Sequence, residues 1–184
     1  MSENANNNNM ALAVSRRGLL KFSLMGSAML ATAGVTASLT GCSSSMPQDG
    51  YKVLRKEDVA FLSATIPVVM QGTFAADKVA ESTLITLRSF DHSLAHFSPE
   101  VLKLIQQLFD VLGMSITRGP LTGVWGGWEN ASPAEIANFL ERWKNSAIGL
   151  LNMGYGSLTQ LIPMAWYGNP EAWGHCGYPG PPTI

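Results

Sequence analysis

Apolar residues recur at three- and four-residue steps from about residue 54 onward, the period of helices that each bury one face. Residues 54–69 carry Val59, Phe61, Leu62, Ile66 and Val69, and run out near Pro67 and Gly72. Residues 77–97 hold Val79, Leu84, Leu87, Phe90, Leu94 and Phe97. Ser98-Pro99-Glu100 is a helix start, with a serine N-cap, proline at the first helical position and an early glutamate. Val101, Leu102, Ile105, Leu108, Phe109, Leu112 and Ile116 trace its apolar face, and Arg118-Gly119-Pro120 is expected to stop it. Ser132-Pro133-Ala134-Glu135 repeats the start with capping-box spacing, ahead of Ile136, Phe139, Leu140, Trp143, Ile148 and Leu151. Gly154-Tyr155-Gly156 is expected to interrupt, and a last helix is predicted over residues 158–166. No segment alternates as a strand does. The pattern predicts an all-α domain of about five helices.

Two segments break the period yet keep their aromatics. Residues 119–128 form a glycine-rich loop with Trp125 and Trp128, which lean toward the core. Residues 168–184 repeat Gly and Pro too often for a regular helix or strand, and read as an extended tail. Trp166, Tyr167, Trp173 and Tyr178 cluster around that tail. They either fold back on the chain's own helices or face a partner, since Trp and Tyr concentrate binding energy at interfaces.

The first 41 residues follow a different logic. Ser15-Arg16-Arg17-Gly18-Leu19-Leu20-Lys21 opens an uncharged stretch rich in Gly, Ala, Ser and Thr. Arg16 and Arg17 read as a twin-arginine export signal, a receptor-read address rather than part of the fold. Leu19 stands where the usual pattern has Phe. The stretch is poor in large apolar residues for its length, which disfavours a permanent transmembrane helix. Leu39-Thr40-Gly41-Cys42 looks like a lipobox, in which Cys42 would carry lipid and anchor the mature chain. Ordinary cleavage near Ala33 or Ala37 is the alternative. The predicted organisation is a signal peptide at 1–41, a lipid-anchored tether at 42–53, a helical domain at 54–167 and a docking tail at 168–184.

Composition narrows the function further. Cleavage before Cys42 removes Arg16, Arg17, Lys21 and Glu3, so 12 basic and 13 acidic residues become 9 and 12, a net charge of −3. No basic patch stands out, and nucleic acid is not an expected partner. Cys42 and Cys176 are the two cysteines, so lipidation of Cys42 leaves no intramolecular disulfide. The case for catalysis is thin. His92 and His96 lie four apart, without the intervening carboxylate of the metalloprotease pattern. His175-Cys176 pairs a base with a nucleophile, but sequence neighbours rarely have that geometry and no third orienting group is evident. Phosphate loops, CxxC pairs and haem attachment sites are lacking from the sequence, and two cysteines are too few for an iron–sulfur cluster. No metal, cofactor or catalytic residue is assigned to this chain.

Gly119-Pro120-Leu121-Thr122-Gly123 with Trp125 and Trp128, then Phe139-Leu140-Glu141-Arg142-Trp143 with Ser146, and Ala165-Trp166-Tyr167-Gly168-Asn169-Pro170 through Trp173 to Gly177-Tyr178-Pro179-Gly180-Pro181-Pro182, carry a resemblance. The chain resembles the small accessory subunits of bacterial membrane-associated FAD dehydrogenases, the gluconate 2-dehydrogenase subunit 3-like group. The resemblance implies a non-catalytic periplasmic subunit. It would carry a folded, FAD-loaded oxidoreductase of the glucose-methanol-choline type through the twin-arginine translocase, with a cytochrome c subunit as a possible further acceptor. It implies docking through Trp166, Tyr167, Asn169, Trp173, Tyr178 and Pro179. The lipobox departs from the plainest leaders of that group. The rival reading is a stand-alone periplasmic metal-binding or enzymatic lipoprotein using His92, His96 or His175-Cys176; a third is a purely structural lipoprotein.

Overall fold

The computed structural model describes residues 46–182, so Arg16, Arg17 and Cys42 lie outside the described residues. Those described are all-helical: α1 Lys56–Val69, α2 Val79–Leu94, α3 Pro99–Gly113, α4 Ser115–Thr122, a 3-10 turn Trp128–Asn130, α5 Pro133–Lys144, α6 Gly149–Tyr167 and α7 Pro170–Cys176. None of these helices is long and apolar enough to cross a membrane.

Helix α1 is central, touching α2, α3, α5, α6 and the 3-10 turn. Its Phe61 meets Trp128 edge-on at 4.9 Å and lies 5.9 Å from Phe109 and 6.4 Å from Phe139. Phe139 in turn meets Trp143 at 4.9 Å. Such offset and edge geometries suit the ring quadrupoles. Two of these tryptophans also serve the backbone. Trp128 Nε1 donates to the Leu112 carbonyl at 2.8 Å and Trp143 Nε1 to the Leu121 carbonyl at 2.9 Å. Both acceptors lie in last helical turns, where carbonyls have no intrahelical partner.

Both predicted serine caps form. Ser98 Oγ accepts from Val101 N, and Ser132 and Glu135 close a reciprocal capping box. Other boundaries differ from the pattern. The third helix ends at Gly113, because Met114 turns extended at φ −69°, ψ 126°. Residues 115–117, expected to continue that helix, and 118–122, expected as its stop and the start of a loop, together form a separate helix, α4, through Gly119 and Pro120. Gly123, at φ 84°, ends it, a conformation that favours glycine. The fourth predicted helix breaks before Ile148, where Asn145 Nδ2 takes the Glu141 carbonyl and Asn152 Nδ2 takes that of Lys144. The Asn152 amide stands in for a helical donor at Lys144, while the Glu141 carbonyl keeps its backbone bond from Asn145 N as well.

Gly154-Tyr155-Gly156 does not interrupt α6. Gly154 is required there: a Cβ would sit 2.6 Å from the Trp143 ring. The tail is not wholly extended either, since Pro170–Cys176 is helical. Pro170 occupies N1 and Gly177 the left-handed C-cap at φ 69°, an arrangement that favours a short helix despite its composition.

The tether also ends earlier than residue 53. The buried Asp91 carboxylate accepts three successive backbone N–H groups, from Lys52 at 2.8 Å, Val53 at 2.8 Å and Leu54 at 2.9 Å. Gln48 N donates to the Leu54 carbonyl. These bonds fasten the entering strand of chain to α2. Arg55 then joins α1 to α3, its guanidinium held by Asp58 at 2.9 Å and Asp110 at 2.5 Å. The hydrogen bonds that Arg55 donates to Asp58 raise its pKa against the opposing effect of burial, and Asp110 adds to the rise.

Candidate partner-docking surface

The six residues expected to dock a partner divide between core and surface. Trp166 is 3% exposed and belongs to the core, with Phe74 edge-on at 4.8 Å. It is therefore not an exposed contact in this structure. Asn169 is structural as well as partly exposed: its Nδ2 donates to the carbonyls of Ala165 at 2.7 Å and Trp166 at 3.1 Å, closing the end of α6. Trp173 is half-buried and its Nε1 donates to the Tyr167 carbonyl at 3.0 Å. Tyr178 stands edge-on to Trp173 at 5.3 Å. Tyr167, Tyr178 and Pro179 remain exposed. The tail thus folds back, and of the six only Tyr167, Tyr178 and Pro179 stand fully outward.

A larger feature adjoins it. Helix α6 contains no Asp, Glu, Lys or Arg over its 19 residues. Its inner side packs on α2, α5 and α1 through Leu158, Ile162, Ala165 and Trp166. Its outer side reads Leu150, Met153, Ser157, Gln160, Met164 and Tyr167, at helical three- and four-residue steps. Leu150 is 74% exposed, and Met153 and Met164 are each 69% exposed. A surface helix ordinarily places charge opposite its core face. This one does not. The signal was present in the sequence as a run without charge, but the predicted break at Gly154 hid it.

Trp128 is in the core as expected, while Trp125 is 76% exposed. Gly126 and Gly127 follow Trp125, which lies against α4 at Gly119, outside the aromatic cluster.

The rival chemistry is less organised. His92 and His96 are exposed with ring centroids 4.5 Å apart, and His96 Nδ1 is engaged with the His92 carbonyl at 2.7 Å. Among the described residues, no group of three or more His, Cys, Asp or Glu converges as metal ligands would. Cys176 is a free, exposed thiol with its Sγ on the Trp173 carbonyl at 3.4 Å. A shallow polar groove lies between Thr122, Glu135, Asn138 and Arg142.

No family model, curated protein or solved structure matches this chain.

Proposed function

We propose that this chain is a non-catalytic helical subunit that carries a folded FAD-dependent alcohol or sugar dehydrogenase through the twin-arginine pathway. It then stabilises that enzyme at the periplasmic face of the membrane, tethered through Cys42. The observation that carries the reading is the uncharged outer face of α6, continued by Tyr167, Tyr178 and Pro179. Exposed apolar surface of this kind, on a chain addressed for folded export, calls for a partner that travels with it. Methionine and aromatic side chains suit an adaptable protein interface. Arg16 and Arg17 serve the translocase, and the flavin belongs to the partner.

The test follows the partner rather than this chain. Cells making the full chain are fractionated, and FAD-dependent dehydrogenase activity is measured in periplasm and cytoplasm. Met153→Glu with Met164→Glu is expected to leave this chain exported and the dehydrogenase cytoplasmic. Arg16→Lys with Arg17→Lys is expected to retain both. Periplasmic dehydrogenase in cells lacking this chain overturns the reading.

A further inference from the structure

The chain enters the domain at one end. Gln48 N donates to the Leu54 carbonyl, and the backbone of Lys52, Val53 and Leu54 is held by Asp91 in the last turn of α2. Helix α3 joins the neighbouring elements there. Its Asp110 pairs with Arg55, its Phe109 lies 6.3 Å from Phe90, and a Cβ at Gly154 of α6 would stand 3.4 Å from its Leu108 Cδ1. The start of α1, the last turn of α2, α3 and the first two turns of α6 therefore share this end. The tail lies at the other. Trp166, near the end of α6, meets Phe74 ahead of α2 at 4.8 Å, and Trp173 and Tyr178 pack beyond it.

Covalent reach limits how far that end can stand from a lipid on Cys42. Cys42 is six residues before Gln48, and six residues fully extended span at most about 22 Å. A small domain is about 30 Å across, so the anchor holds this end, and not the tail, beside the bilayer.

The side chains of this end suit that position. Leu104 is 65% exposed, and Val101, one turn earlier on α3, and Ile148, the N-cap of α6, are exposed with it. Exposed charge around them is mixed, Lys52, Arg88 and Lys103 against Asp49 and Glu100. The end therefore does not select anionic lipid. Apolar side chains seated at headgroup level, with the Lys103 ammonium reaching to phosphate, fit a bilayer interface of any charge.

We propose that the end carrying Val101, Leu104 and Ile148 rests on the lipid surface, which leaves the outer face of α6 and the tail to the protein partner. The inference rests on the proposed lipidation of Cys42 and specifies which way the tethered domain stands.

The exported chain carrying Cys176→Ser is purified from membranes and placed in phosphatidylcholine vesicles that contain a lipid with a nitroxide on its headgroup. Leu104→Cys, Met164→Cys and Tyr178→Cys, all exposed positions, are labelled in turn with a fluorophore. Quenching at Leu104→Cys is expected to exceed that at the other two several-fold. Val101→Glu with Ile148→Glu is expected to lower the quenching at Leu104→Cys while the chain still floats with the vesicles on its lipid. Quenching at Leu104→Cys no greater than at Tyr178→Cys overturns the membrane contact and leaves the export fractionation to decide the docking function. Quenching greatest at Met164→Cys overturns the contact and counts against docking on α6 as well. A chain that does not float with vesicles overturns the tether and this contact together, and the fractionation again decides the carrier role.

Discussion

Trp125 lies so close to Gly119 that a Cβ at position 119 would stand 2.6 Å from the indole. Gly154 stands in the same relation to Trp143, also at 2.6 Å. The two contacts differ in what the ring can do. Trp125 is exposed, whereas Trp143 is buried and fixed by its bond to Leu121. Equal clashes therefore have unequal consequences.

Gly119→Ala is expected to leave thermal stability unchanged or slightly raised. The exposed ring swings away, and alanine is favoured over glycine in a helix by up to about 1 kcal/mol. Tryptophan fluorescence should report the altered ring environment while the unfolding midpoint holds. A large drop in that midpoint would show that the Trp125 ring is confined.

Gly154→Ala is expected to destabilise the domain by about 1–3 kcal/mol, the usual range for forcing volume into a filled core. The clash outweighs the gain in helix propensity because Trp143 has nowhere to go. Urea unfolding measures it, and an unchanged midpoint contradicts the packing described.

Asp91→Ala removes the acceptor for three backbone N–H groups. Hydrogen bonds to a charged group contribute about 1.5–3 kcal/mol each, and three sharing one carboxylate are not additive. A net loss of about 3 kcal/mol is expected. Hydrogen exchange at residues 52–54 should accelerate more than at the buried end of α1, since the bonds lost are local.

The capping box gives a pH dependence. The Ser132 backbone N–H and hydroxyl, in that order, hold the Glu135 carboxyl below its usual value. Its proton then binds more readily in the unfolded chain. The stabilisation is complete above about pH 4.3, the ordinary glutamate value, and is lost as pH falls through the lower folded value. Wild type should exceed Glu135→Ala in melting temperature at neutral pH, and the gap should close in acid. A gap that persists in acid contradicts the assignment.

Met153→Glu, Met164→Glu and the pair together are expected to change stability by no more than about 0.5 kcal/mol each, as exposed substitutions do. Their effect should appear in dehydrogenase export instead. Circular dichroism melts alongside the fractionation separate the two. A variant that unfolds would mean that α6's outer face is covered within the domain.

Much of the fold was legible because its signals are local. Ser98-Pro99 and Ser132-Pro133-Ala134-Glu135 specify helix starts from residues that touch one another in sequence. Asn169-Pro170 and Gly177 carry the same kind of start and stop for α7, but the recurring Gly and Pro of the tail outweighed them. The surface proposed for docking was legible in part. Tyr167, Tyr178 and Pro179 stand outward, while Leu150, Met153 and Met164 were masked by two glycines read as a break.

The sequence by itself determined an all-helical domain, the caps that begin its helices and the absence of charge along residues 149–167. Only the tertiary structure decided that Gly154 belongs inside a helix, because the reason is the Trp143 ring on another element. It also decided which aromatics are core and which are surface. Trp125, Trp128, Trp166 and Trp173 are the same residue type, yet one stands in solvent, two are buried and one lies between. Burial is a property of what packs against a side chain, and distant segments of the chain supply that.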